Sequence, residues 1–179
     1  MLTRSTPTPH NAVVFKKVLA CDPGFERLGV AVVEKMNGKD ALVHSDCIRT
    51  SAKLPFPERL RILGEAFEAL IDEHKPAAVA LEEVFFEKNA KTAMQIAEVR
   101  GMLTYIAAAR RLEVYQYTPL EVKVAITGYG KSDKHAVAHM VERLVTLPKR
   151  KRLDDELDAI AIGLTCLATV RYPHASSYK

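Results

Sequence analysis

The pattern of apolar and polar positions predicts strands in the first third of the chain and again at two later points. Two apolar, β-branched runs at 16–22 and 27–34 are separated by Pro23-Gly24, a dipeptide typical of a turn. Residues 41–50 form a third such run, so we expect three strands in succession. Two further short apolar runs are also predicted to be strands: PAAVALEEV at 76–84 and EVYQYTP at 113–119.

Most of the remaining sequence carries apolar residues at helical spacing. Leucine and phenylalanine recur every three or four residues across 55–74, which indicates an amphipathic helix. Similar spacing predicts a long helix with a wide apolar face at 89–111, and shorter helices at 134–145 and 157–171. Three strands in succession, followed by alternating strands and helices, predict an α/β fold in which helices flank a five-stranded mixed sheet.

Length and composition favour a single domain. The 179 residues, 48% of them hydrophobic, suffice for one compact core but not comfortably for two. We therefore expect a flexible tail at 1–16, one domain at 17–171 and a short tail at 172–179. The formal charge of +4 favours a polyanionic partner without establishing one.

Membrane spans, secretory signals and zinc sites are not expected. No apolar run reaches the roughly 18 residues that a span needs, and the N-terminal segment lacks the apolar core of a signal peptide. The chain has three cysteines, Cys21, Cys47 and Cys166, and no two of them form a CxxC pair. The odd number and the wide spacing argue against zinc sites and disulfides. The expectation is a cytoplasmic protein without membrane contact, whose thiols are reduced and mostly buried.

Two of the predicted strands end in acidic residues. Asp22 closes an apolar strand directly before Pro23-Gly24, where an aspartate is commonly a simple turn residue. Its apolar neighbours favour a functional role, since an unpaired buried charge is costly. Glu82 and Glu83 close the strand AAVALEE, and because side chains alternate across a strand, only one of the two can face the cleft. The alternative for this pair is a solvated strand end.

The segment LDDELDAIAIGL places further carboxylates at the start of a predicted buried helix. Asp155 and Asp158 are three residues apart and therefore share a helix face. Capping of the helix N-terminus would explain Asp154 or Asp155, but Asp158 lies beyond the cap. Carboxylates arriving from two strand ends and one helix repel one another unless a cation holds them, and oxygen-only ligands suit Mg²⁺ or Mn²⁺. Two such ions about 4 Å apart form a phosphodiester-cleaving centre.

Four segments of the chain, in order, resemble the RuvC-type Holliday junction resolvases of bacteria. The resemblance covers nearly the whole of the predicted domain. Cys21 stands where an aliphatic residue is usual in the family, and Glu83 stands where glutamine is common. The four segments are CDPGFERLGVAVV, LEEVFFEKNAKTAMQIAEVRG, TPLEVKVAITGYGKSDKHAVAHMV and DDELDAIAIGL.

The resemblance implies an RNase H-like fold and a homodimeric nuclease. Such an enzyme would incise two opposing strands of a four-way DNA junction in recombination and repair, leaving 5′-phosphate ends. The RuvA–RuvB branch-migration complex would be its partner. Matched residue by residue, the catalytic carboxylates and ligands of two Mg²⁺ or Mn²⁺ ions would be Asp22, Glu82, Asp155 and Asp158.

The resemblance also assigns DNA-contacting residues. Phe85, with Phe86 as the second choice, matches a position that acts at the junction crossover, where an exposed aromatic ring can stack on an unpaired base. Core packing is the alternative for one of the two rings. Lys123 and Lys134 match lysines near the scissile phosphate, and Lys131 is expected to extend the same basic patch.

Two further segments have candidate roles: a basic run before the last helix and the long helix at 89–111. The basic run KRKR at 149–152 is either a solubilising loop or a phosphate-binding rim beside the acidic helix. The helix at 89–111 has more apolar surface than one sheet contact requires, and a twofold dimer contact would use the excess.

Three other functional classes compete with a junction resolvase. A phosphotransferase of the actin or hexokinase type would need a second glycine-rich hairpin, which the sequence lacks. Another RNase H-like nuclease, acting on RNA–DNA hybrids or in transposition, fits the ordered motifs less well. A junction-binding protein without catalysis would need a broken carboxylate set, whereas all four acidic residues are intact.

Overall fold

A five-stranded mixed sheet forms the centre of the molecule, as predicted. The computed structural model describes residues 17–83 and 90–170, so the two predicted tails, Phe85 and Phe86 lie outside the described residues. The elements in chain order are β1 (Lys17–Asp22), β2 (Arg27–Met36), β3 (Lys39–Arg49), α1 (Phe56–His74), β4 (Ala78–Glu82), α2 (Ala90–Ala109), β5 (Glu113–Tyr117), α3 (Pro119–Thr127), α4 (Lys134–Leu144) and α5 (Asp154–Thr169).

The strand order places the ends of three parallel strands at one edge of the sheet. The order is β3-β2-β1-β4-β5, with β1, β2 and β3 antiparallel in succession and with β4 and β5 parallel to β1. The carboxyl ends of β1, β4 and β5 therefore meet at the same edge, next to the point where β2 begins. Residues that follow or end these strands are brought together there.

Helices cover both faces of the sheet. Alternating residues of β1 enter two separate cores: Val18 and Ala20 pack with α3, α4 and α5, whereas Leu19 and Cys21 pack with α1 and α2. This alternation explains why the inner strands read as continuous apolar runs rather than as an apolar–polar pattern. Within the described ranges, no helix is long and apolar enough to cross a membrane.

One helix, α3, was not predicted from the sequence. Its nine residues include several β-branched side chains, which weaken the helical pattern. The missed indication is a capping box: the Thr118 hydroxyl accepts from the Glu121 N–H, and the Glu121 carboxylate accepts from the Thr118 N–H. Pro119 at the first helical position completes this start signal.

Two glycines allow α5 to lie directly on the sheet. A Cβ atom at Gly29 in β2 would overlap the backbone carbonyl of Asp155, and a Cβ atom at Gly163 in α5 would lie 2.7 Å from Cγ2 of Val33. Only glycine permits such an approach of backbone to backbone or to a stiff β-branched side chain. The first turn of α5 is therefore held close to the start of β2.

A buried ionic cluster fixes the segment that leads into α5. Glu156 is only 2% exposed and accepts hydrogen bonds from Arg150, whose Nη2 also donates to the backbone carbonyl of Ser45 at 2.7 Å. Arg152 Nε lies 3.2 Å from the same Glu156 carboxylate without hydrogen-bond geometry. Two of the four basic residues at 149–152 are thus engaged with Glu156, which favours a structural role for them over a phosphate-binding rim.

Replacing Glu156 by glutamine should strongly destabilise the fold. The substitution preserves shape but leaves Arg152 buried without a counter-charge, and breaking a buried ion pair costs about 3 kcal/mol. Urea unfolding monitored by circular dichroism measures the difference. Glu65→Gln is the matched control, because Glu65 pairs with Arg61 on the exposed face of α1 and should change stability little. Equal effects of the two substitutions would refute a stabilising role for the cluster.

Candidate active site

Asp22 and Glu82 lie side by side at the edge where the parallel strands end. Asp22 is the last residue of β1 and Glu82 the last residue of β4. These strands are hydrogen-bonded neighbours, and Cys21 pairs with Leu81 in register, so the two carboxylates extend from adjacent positions. Glu83 continues the ladder by donating its backbone N–H to the Tyr117 carbonyl.

Asp155 and Asp158 reach the same edge from the first two turns of α5. The helix begins after Leu153 and no side chain caps its N-terminus, so neither Asp154 nor Asp155 is the cap residue, although both lie in the first turn, where the helix dipole favours acidic residues. Close packing of α5 over Gly29 brings Asp155 beside the β1–β2 turn. Four carboxylates from three elements, predicted from their sequence positions, are thus gathered in one place.

The pKa values of the carboxylates reflect this crowding. Burial, followed by the charges of Glu82, Asp158 and Asp155, raises the pKa of Asp22 to about 8. Burial, followed by the charge of Asp158, raises the pKa of Glu82 to about 7. The pKa of Asp158 is also raised, again chiefly by burial. Glu82 is therefore the member of the Glu82–Glu83 pair that faces the other carboxylates.

Cationic side chains surround the carboxylates. Lys134 Nζ lies 3.2 Å from Asp158 Oδ2, and Arg27 Nη1 lies 3.3 Å from Asp155 Oδ2. The charge of Lys123 lowers the pKa of Glu82, which puts Lys123 on the Glu82 side of the site. Lys131 is exposed in the segment between α3 and α4.

Arg27 is a site residue that the sequence reading missed. It stands just after the β1–β2 turn, where a lone arginine looks like an ordinary solvated charge, and its side chain is about half exposed. Only the packing of α5 over Gly29 reveals that Asp155 is its neighbour. No local pattern in the sequence indicates this contact.

The oxygen atoms of these four carboxylates are the kind of ligand that a hard divalent cation prefers. The site offers only carboxylate oxygens, and Asp155 Oδ2 is buried without a hydrogen-bond partner despite its proximity to Arg27. Across 17–83 and 90–170, no three acidic, histidine or cysteine side chains are already arranged to hold an ion. Asp155 and Asp158 would therefore have to rotate away from Arg27 and Lys134 to converge on one.

The sequence matches the RuvC family along most of its length. The model of the family described as crossover junction endodeoxyribonuclease RuvC matches residues 18–166. The protein of that name from Leifsonia xyli is 44% identical over 149 residues, which cover 83% of this chain and 72% of the relative. The one from Thermosipho melanesiensis is 41% identical over 152 residues, which cover 85% and 96%.

Solved structures agree with the sequence match. RuvC of T. thermophilus in complex with a Holliday junction substrate is 32% identical with a TM-score of 0.81, over 87% of this chain and 95% of that one. The yeast mitochondrial resolvase Ydc2, 11% identical with a TM-score of 0.66 over 87% and 78%, shares the fold. The predicted RNase H-like fold is confirmed, and the chain belongs to the RuvC family of crossover junction endodeoxyribonucleases.

Proposed function

We propose that this chain resolves Holliday junctions by metal-dependent, paired incision of two opposing DNA strands. The observation that carries the proposal is the convergence of Asp22, Glu82, Asp155 and Asp158 at one sheet edge in a chain of the RuvC family. A phosphotransferase or a catalytically inactive junction-binding protein would leave this four-carboxylate arrangement without a use. The same family match supports a role in recombination and repair.

The four carboxylates are the proposed catalytic groups and metal ligands. Two Mg²⁺ or Mn²⁺ ions suit a site of oxygen donors only, and the buried Asp155 Oδ2 accepts no hydrogen bond, although it lies 3.3 Å from Arg27 Nη1. When bound, the ions would supply an activated water and stabilise charge on the phosphate and the leaving oxygen. Asp22 and Glu82, fixed at strand ends, provide the rigid half of the ligand set, while α5 provides Asp155 and Asp158.

The basic residues near the carboxylates are proposed to hold the DNA. Lys134, released from Asp158 by a bound cation, would be free to contact the scissile phosphate, and Lys123 also lies close enough to Glu82 to lower the pKa of that carboxyl. Lys131 is exposed between them in sequence and would extend this positive rim. The proposed stacking of Phe85, or secondarily Phe86, on an unpaired base rests on the sequence resemblance, because both lie outside the described residues.

Dimerisation is proposed to use the exposed face of α2. Met94 is 65% exposed and Tyr105 is 74% exposed, and a side chain at Gly101 between them would meet open space. Large apolar side chains beside a small residue on one helix face suit contact with a second copy of the same helix. Two sites related by a twofold axis would match the two strands of a junction.

RuvA–RuvB association and action in the cytoplasm are further proposals from family membership.

Asp22→Asn should abolish cleavage and retain junction binding. Loss of one ligand removes metal stabilisation worth several kcal/mol, so the cleavage rate should fall by about 100-fold or more. Affinity should persist because basic groups and shape supply most of it. Cleavage and gel-shift assays on labelled four-way junctions, with duplex controls and Mg²⁺ or Mn²⁺, test both points. Asp154→Asn, an exposed neighbour in α5, should stay active. Loss of binding in folded Asp22→Asn would contradict the assigned role.

The same substitution should stabilise the metal-free protein at high pH. The pKa of Asp22 is about 8 in the folded protein and 3.8 ordinarily, so the folded state retains a proton that the unfolded state releases. Stability therefore falls as pH rises from about 4 to about 8, and the full penalty remains above that window. Thermal unfolding in chelator should show a larger gain in Tm for Asp22→Asn at pH 8.5 than at pH 5. A gain independent of pH would mean that Asp22 is not buried among like charges.

Tyr105→Arg should convert the dimer into monomers. A charged side chain on this face of α2 would lose its hydration when it is buried against the partner helix. Sedimentation velocity measures the change in mass. Leu144→Arg, which alters an exposed apolar residue on α4, is the matched control and should leave the dimer intact. A variant that stays dimeric would exclude this face of α2 as the interface.

A further inference from the structure

An exposed apolar patch lies next to the candidate active site and has no role in the chemistry described so far. It consists of Leu120 and Val124 on α3 and Tyr129 in the segment after α3, and we call it the Tyr129 patch. Leu120 and Tyr129 are each 60% exposed, and Val124 is 49% exposed. The opposite face of α3 is buried through Val122 and Ile126, so folding alone does not account for the outward apolar side chains.

The backbone around Tyr129 is held in a defined shape. Gly128 ends α3 with φ of 76° and donates its N–H to the Val124 carbonyl. The Thr127 hydroxyl donates to the Lys123 carbonyl at 2.7 Å and accepts from the Tyr129 N–H at 3.1 Å. The Ser132 hydroxyl lies 2.8 Å from that of Thr127, and the Ser132 N–H donates to the Tyr129 carbonyl.

Close packing joins the loop to the helix. A Cβ atom at Gly130 would lie 2.5 Å from Leu120 Cδ1 and 3.3 Å from Val124 Cγ2, so the chain directly after Tyr129 rests on these two side chains. Tyr129 is thereby presented from a short, braced loop rather than from a free end. A ligand that bound it would meet a surface already formed, at a small cost in conformational entropy.

The patch is connected to the active site on both sides. Glu82 pairs in register with Tyr117, and α3 begins two residues later at Pro119, so α3 starts beside the catalytic edge. At the other end of the loop, Lys134 contacts Asp158. The chain from Pro119 to Lys134 therefore leaves the site near one carboxylate and returns to another.

The chemistry around Tyr129 favours a nucleic-acid base over an apolar protein surface. Lys123 follows Leu120 by three residues and is therefore its neighbour on α3, and Lys131 follows Tyr129 by two residues in the exposed loop. An exposed aromatic ring flanked by lysines can stack a base while the ammonium groups contact its phosphates. A protein partner with an apolar surface would have to desolvate these lysines.

We propose that Tyr129 stacks on an unpaired base of the junction strand next to the cleaved phosphate, with Leu120 and Val124 supporting the base edge. The inference rests on the proposed junction-resolving function. It adds a second contact with an unpaired base to the one proposed for Phe85. Tyr129 would thus be a positioning and specificity residue, since it holds the strand and does not touch the reacting atoms. Duplex DNA, which presents no unpaired base, would not use the contact.

Cleavage kinetics give the first test. Loss of a stacked base is worth roughly 5- to 150-fold, so Tyr129→Ala should reduce kcat/KM on a four-way junction by that factor, whereas Tyr129→Phe should retain most of it. Leu144→Ala, another exposed apolar truncation, is the control. If the unchanged protein does not cleave junctions, the proposed function itself fails. If it does and Tyr129→Ala matches it, only the stacking role is overturned.

Fluorescence gives a second test that does not depend on turnover. The chain contains no tryptophan, so Tyr129→Trp creates a single tryptophan that can be excited selectively over the tyrosines, and Asp22→Asn in the same chain prevents cleavage. Saturation with a four-way junction should quench the emission of this introduced indole, whereas saturation with duplex should not. Leu144→Trp in the same background should respond to neither. Absence of quenching at full junction occupancy, or equal quenching by duplex, would overturn base stacking at this position.

Discussion

Mutual repulsion among carboxylates withdrawn from water is the constraint on which the rest of this structure depends. Asp22 and Glu82 are held at adjacent strand ends, and Asp158 is presented to them from a helix, so burial and like charge act together to disfavour ionisation. Such an arrangement costs stability and survives only where the surrounding structure imposes it. The neighbouring cations Arg27 and Lys134 offset part of the repulsion without entering the donor set.

Close packing of α5 on the sheet is the main feature that holds the repelling carboxylates together. Gly29 lets the helix start lie against β2, and Gly163 lets its middle lie against Val33, so the helix cannot retreat without losing close packing. Glu156, one residue from Asp155, anchors the incoming chain through Arg150 and Arg152. Glu156 thus stabilises the fold from the same helical turn as Asp155 and Asp158, the two carboxylates of α5 that are proposed to bind metal.

The sequence predicted the sheet and four of the five helices in the described residues, because their periodicity is a local pattern. It also predicted that Asp22, Glu82, Asp155 and Asp158 lie close together, whereas their catalytic role stays a proposal. It missed α3, whose β-branched residues hide a helix that a capping box initiates. It could not identify Arg27 as a neighbour of Asp155, because that contact depends on α5 crossing β2 at Gly29. The sequence also left the basic run before α5 open between a solubilising loop and a phosphate-binding rim, because the contacts of Arg150 and Arg152 with the buried Glu156 appear only in the folded chain.

The most direct test of the central claim is proton release on Mg²⁺ binding, measured by calorimetry at pH 7 in buffers of different ionisation enthalpy. With pKa values of about 8 for Asp22 and about 7 for Glu82, Asp22 is mostly protonated at pH 7 and Glu82 is about half protonated, and the cation must displace these protons. The account predicts a heat that varies with the buffer at pH 7 and becomes nearly independent of it at pH 9.5. A heat independent of the buffer at pH 7 would show that the carboxylates are already ionised and would contradict the account.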